Sequence, residues 1–138
     1  DPALAPENTA VERWIETMIA QGRRPDLAID FHNDGGGLLH VSRPEATSPQ
    51  AEQYLARMER LEKLLRENTW FTEGATKANF HNPGTIGEGL LARYGVTACI
   101  HELNCNRIAG LDDFAVAANW KKYGEQLAVV FFMFFETP

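Results

Sequence analysis

Two short apolar segments of this chain each finish in side chains able to ligate a metal ion or move a proton. The first reads Leu27-Ala28-Ile29-Asp30-Phe31-His32 and runs into Asn33-Asp34-Gly35-Gly36-Gly37. Side chains alternate along a strand, so Asp30 and His32 project from the same side. A carboxylate beside an imidazole is the pairing that fixes the tautomer of a metal-ligating histidine. The second segment reads Val96-Thr97-Ala98-Cys99-Ile100-His101-Glu102-Leu103. Glu102 closes a row made by Val96, Ala98 and Ile100, where partial desolvation suits a carboxylate that takes up and returns a proton. Ligands of open α/β sheets gather beyond the carboxyl ends of strands, and both His32 and Glu102 fall there.

Other combinations have plainer readings. Cys99 and His101 share the opposite face at a spacing that suits a thiol–imidazole nucleophile, but Cys99 sits among apolar neighbours and reads as core. Gly35-Gly36-Gly37 lacks the following Gly-Lys-Ser/Thr of a phosphate loop and reads as a tight turn. A Cys99–Cys105 disulfide would require the chain to turn sharply after Leu103. A metal held wholly within the chain would draw on His32, Asp34 and either His81 or His101, of which His101 alternates away from Glu102.

These residues need elements to position them. Val11, Trp14, Ile15, Met18 and Ile19 recur at helical spacing after Pro6-Glu7, and Gln21-Gly22 ends the helix. Residues 27–32 read as a strand, 33–37 as a loop and 38–41 as a second short strand. Ser48-Pro49 opens a long helix whose apolar face is Ala51, Tyr54, Leu55, Met58, Leu61, Leu64 and Leu65, with Glu59/Lys63 and Glu62/Arg66 pairs outside. Trp70-Phe71-Thr72 reads as a strand and 73–84 as a loop. A short helix from Thr85 to Arg93 is closed by Gly95, a strand covers 96–103, and a last helix runs from about Asp112 to Phe135. Helices alternating with buried strands give an α/β fold, with a mixed or mostly parallel sheet flanked by helices.

Composition limits the function classes. The 138 residues carry a net charge of −6, with 44% hydrophobic and 23% charged side chains, as in a folded single domain. An acidic chain without a Lys/Arg-rich run is a poor partner for nucleic acid. Two cysteines exclude a disulfide scaffold or a multi-cysteine zinc module. The longest apolar run, 127–135, falls short of the roughly 18 residues that span a bilayer, and its phenylalanines read as a helix end packed in a core. The chain opens Asp1-Pro2-Ala3, with neither initiator Met nor signal peptide, as expected of a trimmed segment or of a secreted or periplasmic parent.

The order of these motifs resembles the zinc carboxypeptidases of the carboxypeptidase A type. In that family a Pro-Glu pair opens a helix, a strand ends in Asp-x-His, and a later apolar strand ends in Glu-Leu before a long closing helix. The matching residues are Pro6-Glu7, Asp30-Phe31-His32 and Glu102-Leu103, with 70 residues between His32 and Glu102. Gly84-Thr85 and Tyr94-Gly95-Val96 follow the same order. The resemblance implies zinc as cofactor, His32 as one ligand and Glu102 as general base and acid. Asp30 supports His32 by strand alternation, and His81, Thr85 and Asn33 are candidate substrate contacts. The implied activity is hydrolysis of peptides or amino-acylated small substrates.

The family's first two zinc ligands form a His-x-x-Glu, and none exists here: His32, His40, His81 and His101 are followed at the third position by Gly35, Arg43, Gly84 and Asn104. At the place of the family's flexible tyrosine stand Phe80 and His81. The resemblance therefore implies the C-terminal part of a larger catalytic domain, inactive alone, with its remaining ligands upstream. Such a part would expose a sheet edge and favour self-association. The alternative reading is a non-catalytic domain of the same fold that binds a peptide or another ligand.

Overall fold

The computed structural model describes residues 5–42, 44, 49–77 and 85–136. In chain order it contains α1 (Pro6–Ala20), β1 (Ala28–Asp34), β2 (Leu39–Val41), α2 (Pro49–Asn68), α3 (Ile86–Tyr94), β3 (Ala98–Asn104), β4 (Arg107–Ile108), β5 (Asp113–Phe114) and α4 (Ala117–Glu136). The three longer strands form a mixed sheet in the order β1-β3-β2, with β1 parallel and β2 antiparallel to the central β3. The fold is a small α/β arrangement, and no helix of the described residues is long and apolar enough to cross a membrane.

The two faces of the sheet bury different partners. One face presents Leu39, Val41 and Cys99 to the apolar stripe of α2 (Tyr54, Met58, Leu61, Leu65) and to Tyr123, Val130 and Phe134 of α4. That stripe was legible as period-3.6 spacing, although Leu55 at its margin is exposed. On the other face Ala98 meets Leu90 of α3, Ile15 of α1 and Val96. The small residues at 98 and 87 let α3 approach closely: a Cβ on Gly87 would lie 3.5 Å from the Cys99 backbone. α3 begins at the Thr85 N-cap, whose side chain accepts from the Glu88 amide, and ends at Gly95 in the left-handed region. An ion pair from Arg93 to Glu12 and a 2.9 Å hydrogen bond donated by Tyr94 Oη to Glu16 tie α1 to α3.

Several expected elements differ. Trp70-Phe71-Thr72 is not a strand; Phe71 is buried as part of the core, and the turn at Gly110 packs against the Trp70 backbone. A Cβ at Gly110 would stand 1.9 Å from the Trp70 carbonyl oxygen, so only glycine fits. The last helix starts at Ala117 rather than near Asp112, because Arg107 binds Asp112 through both its carbonyl and its carboxylate at 2.8 Å, and Asp113-Phe114 pair with Arg107-Ile108. β1 continues through Asn33 and Asp34, which the glycine-rich tract had assigned to the loop. Lys63 pairs with Glu67 rather than Glu59, while Arg66–Glu62 forms as spaced. Of the closing phenylalanines, Phe134 is buried but Phe132 and Phe135 are exposed, and Trp14 and Val11 of α1 also face solvent.

One side chain joins sheet and helix layer through polar groups. Tyr54, buried on α2, accepts from the Ser42 amide at 2.9 Å and donates to the Ala98 carbonyl at 3.0 Å. Tyr54→Phe removes one hydroxyl but strands two buried backbone groups, so it is expected to cost about 1–3 kcal/mol. A shift of the urea midpoint at unchanged slope checks this; an unshifted midpoint would show that the two groups find other partners.

Candidate functional site

Parallel pairing sets His32 directly beside Glu102, with Asp30 beside Ile100 and Asp34 beside Asn104. Residues in register on neighbouring strands project from the same face, so Asp30, His32, Asp34 and Glu102 share one surface. β2 adds His40 to it, because His40 pairs with Ile100 while Leu39 and Val41 turn into the core. α3 covers the apolar beginning of this face at Ala98, and the polar residues emerge beyond it, toward the carboxyl ends of β1 and β3.

His32 Nδ1 lies 3.2 Å from Asp30 Oδ1, and the imidazole is 64% exposed. With Nδ1–H donated to Asp30, the lone pair on Nε2 is left for a ligand. Glu102 is half-buried; its Oε2 is enclosed with no hydrogen-bond partner among the described residues, and its amide donates to the Leu38 carbonyl at 3.0 Å. Asp34 caps the turn between β1 and β2: its Oδ1 accepts from the amides of Gly36 at 2.7 Å and Gly37 at 2.6 Å. Those amides, Gly37 first, hold the Asp34 carboxyl below the usual carboxylate range, against an opposing push from burial. Ligating atoms of Asp34, His40 and Glu102 all lie within 4.8 Å of one another.

The turn is strapped across the end of β3. The Asp34 carbonyl accepts from the Cys105 amide at 2.9 Å, and Asn106 Nδ2 donates to the Gly35 carbonyl at 3.2 Å. Gly37 has φ +71°, and a Cβ there would lie 2.5 Å from the Cβ of Asn104. The Gly35-Gly36-Gly37 run is thus a tight turn that lets two backbones cross, as its sequence implied.

His101 is absent from this surface. It projects to the opposite face and is 2% exposed, between Phe31 and Phe71, with Nε2 at 2.5 Å from the Tyr123 hydroxyl. Burial pulls its pKa down to about 4 and pushes the Cys99 thiol up to about 12. A neutral imidazole beside an undissociated, fully buried thiol cannot serve as a nucleophilic pair, and both cysteines are free. Nor does His101 join a metal set with His32 and Asp34. Thr85 is engaged as the N-cap of α3, Asn33 alternates to the face opposite His32, and His81 lies outside the described residues.

His40 is the site residue that sequence reasoning passed over. Its signal was the apolar pair Leu39 and Val41 around it, which alternation turns into the core and so turns His40 out beside Glu102. Comparison with protein-family models and with curated proteins yields no match to this chain.

Two outcomes follow. His101 ordinarily titrates near 6.5 but near 4 in the fold, so on acidification the unfolded chain takes up the proton first. The stability this neutral imidazole contributes is complete above pH 6.5 and is lost as the pH falls toward 4. From this group, unfolding free energy at pH 5 should be about 2 kcal/mol below that at pH 7.5, and His101→Phe should remove that share. Equal pH dependence in wild type and variant would refute the assignment. Gly37→Ala forces a strained φ and a clash with Asn104, so a thermal midpoint several degrees lower is expected.

Proposed function

We propose that this chain is part of a zinc-dependent hydrolase of the carboxypeptidase type, acting on peptide or amide bonds. The observation that supports it best is the pairing of His32 with Glu102 on adjacent parallel strands, on one face and at their carboxyl ends. His32 and Glu102 therefore stand side by side although 70 residues separate them in sequence. The residues suit the ion: Asp30 orients His32, and Glu102 carries an enclosed oxygen without a partner.

Zinc in such a centre supplies Lewis acidity, which polarises a carbonyl and makes water nucleophilic near neutral pH. His32 is the ligand this chain offers, through Nε2. Asp30 accepts a hydrogen bond from Nδ1–H, which keeps the ring in one tautomer with the Nε2 lone pair turned to the ion. Glu102 takes a proton from the attacking water and returns it to the departing amine, so its carboxylate ends each cycle as it began. A His-x-x-Glu pair from a preceding segment would complete the ligand set, with peptides or amino-acylated small molecules as substrates.

The test compares zinc stoichiometry and peptide hydrolysis for the 138 residues and for the chain extended by whatever its gene encodes ahead of Asp1. The extended protein is expected to hydrolyse peptides, Glu102→Gln to lower kcat by about 10²–10⁴-fold with substrate binding retained, and His32→Ala to lose zinc. An extension without His-x-x-Glu, or wild-type turnover in Glu102→Gln, overturns the reading. Substrate binding without turnover in the extended wild type would instead assign a binding domain.

A further inference from the structure

The turn between β1 and β2 does more than reverse the chain: its two ends, Asp34 and His40, are delivered to Glu102. We infer that Asp34, His40 and Glu102 form a divalent-metal site contained within this chain, suited to a transition ion of the zinc class.

Three observations carry the inference. One ligating atom of each residue lies within 4.8 Å of the other two, with the residues contributed by three different strands of one sheet. The enclosed Oε2 of Glu102 has no hydrogen-bond partner among the described residues, and a metal ion satisfies a buried carboxylate oxygen without a donor. Neither Asp34 nor Glu102 pairs with a Lys or Arg among the described residues, so two carboxylates converge without a fixed counter-charge.

The donor set indicates the class of ion. Magnesium and calcium prefer all-oxygen shells, whereas an imidazole with two carboxylates suits zinc, manganese or cobalt. Asp34 is fixed in orientation because the Gly36 and Gly37 amides occupy Oδ1, which leaves Oδ2 for the ion. Three protein ligands leave coordination positions for water or a substrate oxygen. His32 stands outside this trio, its Nδ1 held by Asp30. The inference does not rest on the hydrolase reading, in which Glu102 is a base and His32 the ligand.

The experiment titrates the chelator-treated 138-residue chain with Zn²⁺ by calorimetry and with Co²⁺ by visible absorption. One equivalent is expected to bind, with affinity falling at least tenfold in both Asp34→Asn and His40→Gln. Zn²⁺ should shift the His40 imidazole resonances and leave those of His32 in place, a readout that needs no variant to fold. Absence of saturable binding overturns the inference. So does binding that survives His40→Gln but is lost in His32→Gln, and that result leaves the hydrolase reading intact.

Discussion

The register between β1 and β3 is the constraint on which the rest of the structure depends. Ala28 through Asp34 align one to one with Ala98 through Asn104, and Asp30, His32, Asp34 and Glu102 take their positions from that alignment. A slip of one residue would turn His32 and Glu102 to opposite faces and bring Cys99 out of the core. What holds the register is apolar burial on both sides. Cys99, Leu39 and Val41 are enclosed by α2 and α4, while Ala98 is small enough for α3 to lie against it. The core therefore determines the site: residues buried at the start of the strands dictate which way those at the end must point.

A second layer of control comes from the turn. β1 and β2 sit on opposite sides of β3, so the chain leaving Asp34 must cross the end of the central strand to reach Leu39. Glycine at 37 allows the crossing, and hydrogen bonds from Cys105 and Asn106 tie the turn to the segment after β3. Asp34 accepts from the turn amides at one end and His40 stands at the other, so both are fixed by the backbone crossing.

This division explains what could be read in advance. α1, α2 and α3 were visible as periodic apolar faces with Pro, Thr or Gly at their ends, and the Asp30–His32 contact followed from alternation alone. The β4–β5 pair was not legible, because two-residue strands carry no periodic signal and Arg107 with Asp112 holds them through side-chain bonds. The exposed Phe132 and Phe135 show the same limit: an unbroken apolar run does not reveal which side of a helix meets the core. Asp34 was named as a metal ligand but with other partners, and His40 escaped altogether, for a different reason. Their neighbour Glu102 is distant in sequence, and only the strand order β1-β3-β2 brings all three together.

Among the described residues, Trp70 Nε1, His101 Nδ1 and Glu102 Oε2 are enclosed polar atoms without a hydrogen-bond partner. Each deficit costs on the order of 1–3 kcal/mol, against a total stability of about 5–15 kcal/mol for a domain of this kind. At His101 the penalty is limited, since the imidazole stays neutral and Tyr123 satisfies its other nitrogen. Trp70 offsets its loss by stacking area against Trp120 and Tyr123, with ring centroids 5.0 and 4.5 Å away. Glu102 has neither compensation. An apolar residue there would extend the row from Ala98 and Ile100 and leave no atom unsatisfied, so folding alone favours replacing the carboxylate. Glu102 stands beside His32 of the neighbouring strand and within 4.8 Å of ligating atoms of Asp34 and His40, so the groups that could satisfy its enclosed oxygen indirectly, through a shared ion, are on this surface.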